Sequence, residues 1–249
     1  MAKLLVINPN TTQDITDKVA DAIGALAPAG LTISAHSGAF GPRYIASRAT
    51  FAVAGHAALD AFARHGDGAD AVLLACFGDP GLDALREVSP VPVVGLIEAA
   101  VEASLARGKK YSIVTGGELW RDMLRESLTL RGLTGNLASI RTVAPTGGRI
   151  AADPDGAIDV LAQACKHVAQ EDGAESVILG GAGLVGLASR IEARAKIPVI
   201  CSVEAGAYSA FRALAQCERN TRRITDAPAI NSIGLSNALT ELLAGSKLS

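Results

Sequence analysis

Short runs rich in Val, Ile and Leu alternate with longer amphipathic segments along nearly all of this 249-residue chain, and that alternation limits its fold more than any other feature. The apolar runs read as strands at 4–8, 31–36, 71–76, 92–96, 111–115, 138–143, 176–180 and 198–202. Helices are expected between them, starting near Thr12, Arg48, Gly81, Glu98, Leu119, Asp155, Leu184 and Glu204. Strand-helix alternation of this regularity predicts an α/β fold of parallel sheets with helices on both faces. Composition agrees, since 49% of residues are hydrophobic but only 4% aromatic. Such a core is made of small aliphatic side chains packed closely against glycine-rich turns.

The second four strands repeat the first four. Pro92-Val93-Val94-Gly95-Leu96-Ile97-Glu98-Ala99 matches Pro198-Val199-Ile200-Cys201-Ser202-Val203-Glu204-Ala205, and Lys3-Leu4-Leu5-Val6-Ile7-Asn8 resembles Lys110-Tyr111-Ser112-Ile113-Val114-Thr115. Two pseudo-symmetric lobes are therefore expected, each a four-stranded parallel sheet flanked by helices: residues 1–105 with 205–249, and residues 106–204. The last helix or two, from about Asp226 to Leu243, should fold back on the first lobe. Facing lobes leave a cleft lined by the carboxyl ends of their strands, where open parallel sheets bind ligands. Four loops should converge there: Asn8 to Thr12, Cys76 to Asp79, Thr115 to Gly117 and Gly180 to Gly183.

Cys76 is the thiol most exposed to chemistry in this arrangement. It follows Ala71-Val72-Leu73-Leu74-Ala75 and opens the next expected helix, whose N-terminus would favour its thiolate. The matching stretch of the second lobe, Ser176-Val177-Ile178-Leu179-Gly180-Gly181-Ala182-Gly183-Leu184, carries Gly181 where the thiol would stand. Helix N-termini at these loops present backbone N–H groups suited to a carboxylate or an enolate oxyanion. Asn8, Asn10, Thr11 and Thr12 serve either as ligand contacts or as plain capping residues. Thr115, Gly116 and Gly117 offer a hydroxyl and close backbone approach. Phe40, Arg43 and Tyr44 lie in a loop able to cap the cleft, while Trp120 is expected to pack between the lobes.

Other classes of function lack support. The net charge of -2, from 23 basic and 25 acidic residues without runs, points to no nucleic-acid or membrane-surface partner. The charge-free stretch Ser176 to Ser189 falls short of the ~18 to 20 apolar residues that cross a bilayer. Met1 to Ile7 run directly into a strand pattern without signal-peptide features, so a cytoplasmic protein is expected. Cys76, Cys165, Cys201 and Cys217 have no zinc or thioredoxin spacing, and His36, His56, His65 and His167 no metal-site spacing, so neither metal nor disulfide is expected. Cys165, Cys201 and Cys217 read as apolar packing. A small molecule bearing carboxylate or carbonyl groups is the expected ligand.

These loops together resemble the aspartate/glutamate/hydantoin racemase superfamily, most closely its hydantoin and allantoin racemase branch. The likeness runs through Ile7-Asn8-Pro9-Asn10-Thr11-Thr12, Tyr44-Ile45-Ala46-Ser47-Arg48-Ala49, the Cys76 loop, Thr115-Gly116-Gly117-Glu118-Leu119-Trp120 and the glycine-rich second loop. The resemblance implies an isomerase without a cofactor, in which two cysteines flank the acidic carbon of a hydantoin-, allantoin- or amino-acid-like substrate. One thiolate removes the proton, backbone amides and hydroxyls hold the anion, and the other thiol reprotonates the opposite face. The first cysteine maps to Cys76 and the second to Gly181. The substrate contacts implied are Asn8, Asn10, Thr11, Phe40, Tyr44, Phe77, Gly78, Thr115, Gly116, Gly117, Ala182 through its backbone amide, and Gly183; a homo-oligomer fits the family.

Glycine has no proton to give, so the departure at Gly181 opens three readings. One is a racemase-like isomerase that is one-sided, impaired, or dependent on water or another group at Gly181. Another is a one-cysteine enzyme similar to arylmalonate decarboxylase, although that class keeps its thiol in the second lobe. A maleate-isomerase-like role for Cys76 fits a first-lobe thiol but also lacks the second. The third reading is a non-catalytic small-molecule-binding protein on the same scaffold.

Overall fold

The computed structural model describes residues 2–144, 147–216 and 232–245. Cys217 and the part of the expected terminal helix before residue 232 lie outside them. The first sheet contains β1 (Lys3–Asn8), β2 (Thr32–Ser37), β3 (Ala71–Leu74) and β4 (Val93–Gly95), all parallel, in the order β2-β1-β3-β4. Its helices are α1 (Gln13–Leu26), α2 (Arg48–His65), α3 (Leu82–Val88) and α4 (Leu96–Leu105). The second sheet repeats that order as β6-β5-β7-β8, from β5 (Tyr111–Gly116), β6 (Leu137–Val143), β7 (Ser176–Gly180) and β8 (Val199–Cys201). It carries α5 (Trp120–Leu130), α6 (Gly147–Ala152), α7 (Pro154–Glu171) and α8 (Ala188–Ala195); α9 (Ser202–Gln216) follows β8 and returns to pack on α4, α1 and β3, and α10 (Asn237–Leu243) completes the described chain.

Strand burial explains the apolar runs. Every residue of Ala71–Leu74 and of Ser176–Gly180 is buried, as parallel strands covered by helices on both faces must be. One apolar cluster joins both sheets, from Leu4, Leu73 and Leu96 to Val114, Ile178 and Val203. Glycine makes its centre possible, because a Cβ on Gly206 of α9 would lie 2.4 Å from Leu96 Cδ2 of α4. A side chain there would push these two helices apart, so their contact depends on its absence.

The sheet order places the site. From the central strand β1 the chain moves first to one side, into β2, and then to the other, into β3, so the loops leaving β1 and β3 diverge into a crevice. The same switch occurs between β5 and β7. The four loops expected to converge follow these four strands.

Two local expectations fail. The helix expected from Leu184 is a single 3-10 turn at Ala182–Leu184, and α8 starts only at Ala188. Gly181 at φ +134° and Gly186 at φ +82° bracket the turn and hold the backbone outside the helical region. The short helix α6 is not among the expected helices, of which the nearest starts at Asp155. On the opposite face of the first sheet, α10 lies on α2, with Leu239 and Leu242 in the cluster that holds Leu5, Leu74 and Phe62. Ser236 caps α10 and also hydrogen bonds to the buried carboxylate of Asp60. No helix among the described residues is long and apolar enough to cross a membrane.

Candidate active site

A cavity of about 70 Å³ opens where the loops meet, with Cys76 and Gly181 both in its wall. Of the residues expected there, Asn10, Tyr44, Phe77, Thr115, Gly116, Ala182 and Gly183 also line it. The loop geometry explains the placement of Asn10. Asn8 at the end of β1 is buried and donates from Nδ2 to Asn10 Oδ1 at 3.1 Å and to Thr16 Oγ1 at 2.9 Å. Asn10 Oδ1 also accepts from the Thr12 N–H at 2.9 Å, which leaves Nδ2 as the donor that Asn10 can offer a ligand.

Five expected contacts fall elsewhere. Asn8 lies beneath the site and supports Asn10. Thr11 donates its backbone N–H to Pro42 O at 3.1 Å, tying the first loop to the segment before Tyr44. Phe40 turns to His56, with ring centroids 4.7 Å apart. Gly78 at φ +138° lies under Trp120, whose ring is 2.6 Å from where a Cβ would stand. Gly117 donates its N–H to Val143 O at 3.1 Å and turns the chain into α5. Thr115 lines the cavity, but its hydroxyl donates to Gly180 O at 2.7 Å, so it can offer a ligand only an acceptor.

Trp120 does more than pack the lobes together. Its Nε1 donates to Ile45 O at 3.1 Å, its ring meets Phe51 edge-on at 6.3 Å, and it lines the cavity while clustering with Cys76. Ile15, Ile45, Ala75, Gly180 and Leu184 complete the wall and make much of it apolar. Ile15, Ile45, Ala75 and Leu184 gave no chemical signal in the sequence, whereas Gly180 opens one of the loops expected to converge. Trp120 gave one, as the chain's single tryptophan next to the Thr115 loop.

Cys76 is not at a helix N-terminus, contrary to the sequence expectation. The next helix, α3, begins only at Leu82, after a turn with Asp79 at φ +56° and Gly81 at φ +80°. The thiol is 8% exposed, and burial together with the nearby Asp79 carboxylate pushes its pKa well up. Cys76 therefore rests as a protonated thiol at neutral pH. Cys165 and Cys201 are also buried and pushed up, to about 12 and about 11. Among the described residues no group of His, Cys, Asp or Glu could hold a metal ion.

Residues 4–210 match the family model described as Asp/Glu/Hydantoin racemase. The chain belongs to that family. By family it is an isomerase of the racemase kind. It is 40% identical over 207 residues to a hydantoin racemase of Paenarthrobacter aurescens, covering 82% of this chain and 87% of that one. The crystal structure of allantoin racemase from Pseudomonas fluorescens superposes with a TM-score of 0.87 at 28% identity, covering 93% and 99% of the two chains. A liganded mutant of arylmalonate decarboxylase shares the fold alone, at 19% identity and a TM-score of 0.65 over 86% and 93% of the chains. The paired four-stranded sheets are thus the racemase family's architecture.

Proposed function

We propose that the chain is a cofactor-independent, hydantoin- or allantoin-racemase-like isomerase in which Cys76 transfers a proton on one face of the substrate's acidic carbon. The supporting observation is that Cys76 and Gly181 occupy one cleft, at matched positions of a repeated fold. The substrate carbon would lie between them, and Asn10 Nδ2 and the backbone of Gly116, Ala182 and Gly183 are the contacts available to its oxygens. Ionised Cys76 takes the proton, the electrons move into the adjacent carbonyl, and the same thiol returns a proton. Gly181 offers no acid for the opposite face. Inversion is then slow by the roughly 10² to 10⁴-fold that one positioned acid-base group contributes. The lobe division at 1–105 with 205–249 and 106–204, and a reducing cytoplasmic setting for the thiols, belong to the same proposal.

One observation favours a second reading. A thiol held protonated by burial is better suited to give a proton than to take one. That is the role it would have in an arylmalonate-decarboxylase-like enzyme, where loss of carbon dioxide supplies the carbanion.

The test follows deuterium exchange at the acidic carbon of hydantoins in heavy water, alongside optical rotation and carbon dioxide release from malonates. Exchange exceeding inversion, abolished in Cys76→Ser, is the expected result. Carbon dioxide release without hydantoin exchange selects the decarboxylase. If neither reaction occurs and Cys76→Ser still binds hydantoins as the parent does, the protein is a binding module.

A further inference from the structure

Asp79 lies three residues after Cys76 in the same turn, and its geometry is not that of an ordinary turn residue. The residue is 2% exposed and adopts φ +56°, a left-handed conformation that side chains other than glycine rarely take. Its carboxylate accepts from the N–H groups of Leu96 at 2.7 Å and Ile97 at 3.1 Å, the first two residues of α4. Its own N–H donates to Cys76 O at 3.0 Å, and its carbonyl accepts from Leu82 N–H at 3.2 Å. Gly95 leaves room for the carboxylate, since a Cβ there would lie 2.6 Å from Asp79 Oδ2. One side chain thus joins the Cys76 turn, the end of β4 and the starts of α3 and α4.

The local charges bear on what that carboxylate does to the thiol. From the C-cap of α5, the charge of Arg131 acts on it; from α4, Glu98; and from α3, Arg86, which is paired with Glu98. Arg131 is itself near Glu98 and Asp83, at 3.6 and 3.7 Å. Its charge is therefore shared among three carboxylates. Burial raises the Asp79 pKa to about 7 despite the two backbone hydrogen bonds, so the group changes charge near neutrality.

We propose that Asp79 is a positioning residue for Cys76: its carboxylate fixes the thiol-bearing turn against the N-terminus of α4, and its negative charge disfavours the thiolate. The inference rests on Cys76 being the acid-base group, but it is tested without turnover. Iodoacetamide alkylation of Cys76 is followed by peptide mass across pH in the parent protein and in Asp79→Asn, with buried Cys165 and Cys201 as internal reporters of general opening. Loss of the charge should lower the midpoint of the Cys76 curve by about one pH unit, giving roughly tenfold more thiolate well above pH 7, where Asp79 of the parent is ionised, and a smaller gain at pH 7 itself. Cys165 and Cys201 should stay slow.

A purely structural carboxylate would give a different pattern. Loosening raises the limiting rate at high pH without moving the midpoint, or frees all three thiols together, and either result overturns the proposal. Asp79→Ser, which also lacks the charge, replaces Asn if that variant does not fold. If both uncharged variants fail to fold while Asp79→Glu folds, the carboxylate is only a structural staple and the electrostatic role is refuted. Should hydantoin exchange be absent while the midpoint shift occurs, the proposed reaction fails and this inference stands.

Discussion

Placing a thiol at Gly181 tests the site through stability and activity at once. Gly181 has φ +134° and ψ 132°, a backbone region almost confined to glycine. Holding another residue there costs of order 1–3 kcal/mol. A Cβ would stand 3.0 Å from Leu184 Cδ1, in a side chain only 1% exposed, and moving that leucine off its rotamer adds about 0.5–1.5 kcal/mol. Gly181→Cys should therefore lose roughly 2–4 kcal/mol, a fall in Tm of about 4–16 °C for a chain of this length.

Gly181→Ala carries the same strain without a thiol and should lose about as much. Activity separates the two. In Gly181→Cys the ratio of inversion to deuterium exchange should rise, by up to the ~10²-fold at the low end of what a positioned acid gives. In Gly181→Ala it should not rise at all. Differential scanning fluorimetry measures the first quantity, and polarimetry with proton NMR in heavy water the second. A Gly181→Cys protein as stable as the parent would refute the backbone argument. Inversion no faster than in Gly181→Ala would put the second-face chemistry elsewhere.

Three further outcomes follow from distances and charges in the structure. Trp120→Phe removes the Nε1 bond to Ile45 O, which should cost about 0.5–1.5 kcal/mol in urea unfolding and weaken discrimination between hydantoins of different substituent size; unchanged stability and preference would count against a wall role. Because burial holds Cys76 protonated, hydantoin exchange should climb roughly tenfold per pH unit from pH 7 to 9, and a rate flat across that range would mean the thiol is already ionised. The Asp79 carboxyl has its pKa raised from 3.8 to about 7, so the folded chain keeps a proton that the unfolded chain releases between those values. This group therefore favours folding below about pH 4, and its contribution is lost as pH rises through 7. Urea unfolding at pH 5 and pH 7.5 should accordingly show a smaller drop, or a larger gain, in Asp79→Asn than in the parent.

Much of this could be read from the residues because the governing rules are local and repetitive. A strand buried on both faces must be an unbroken apolar run, so Ala71–Leu74 and Ser176–Gly180 announce themselves. The matched Pro-Val and Glu-Ala signatures make β8 the counterpart of β4 in the repeat, and with them Gly181 the counterpart of Cys76. Long-range geometry left less trace. Nothing local marks the indole of Trp120 reaching across to Ile45, or the Thr115 hydroxyl being committed to Gly180 O. The sequence misplaces the thiol because it reads Cys76 as opening the next helix. Asp79 at positive φ and Gly81 instead delay α3 to Leu82 and bury the sulfur.

The repeat also marks how far the two halves have diverged beyond the missing thiol. At the spacing that equates Cys76 with Gly181, Asp79 corresponds to Leu184; at the spacing one residue longer that equates Pro92 with Pro198, Gly95 corresponds to Cys201. In the first sheet the N-terminus of α4 receives the Asp79 carboxylate, which requires Gly95 to be bare. In the second, the sulfur of Cys201 takes backbone hydrogen bonds from Val203 and Glu204 at the start of α9, and Ser202 Oγ accepts from Gly181 N–H at 3.3 Å. The second turn has thus lost both the thiol and the carboxylate that accompanies it. A cysteine introduced at Gly181 would face no acidic neighbour equivalent to Asp79. Its alkylation midpoint should fall below that of Cys76 in the same molecule, and a midpoint equal to or above that of Cys76 would mean that burial alone, not the Asp79 charge, sets the thiol's proton affinity.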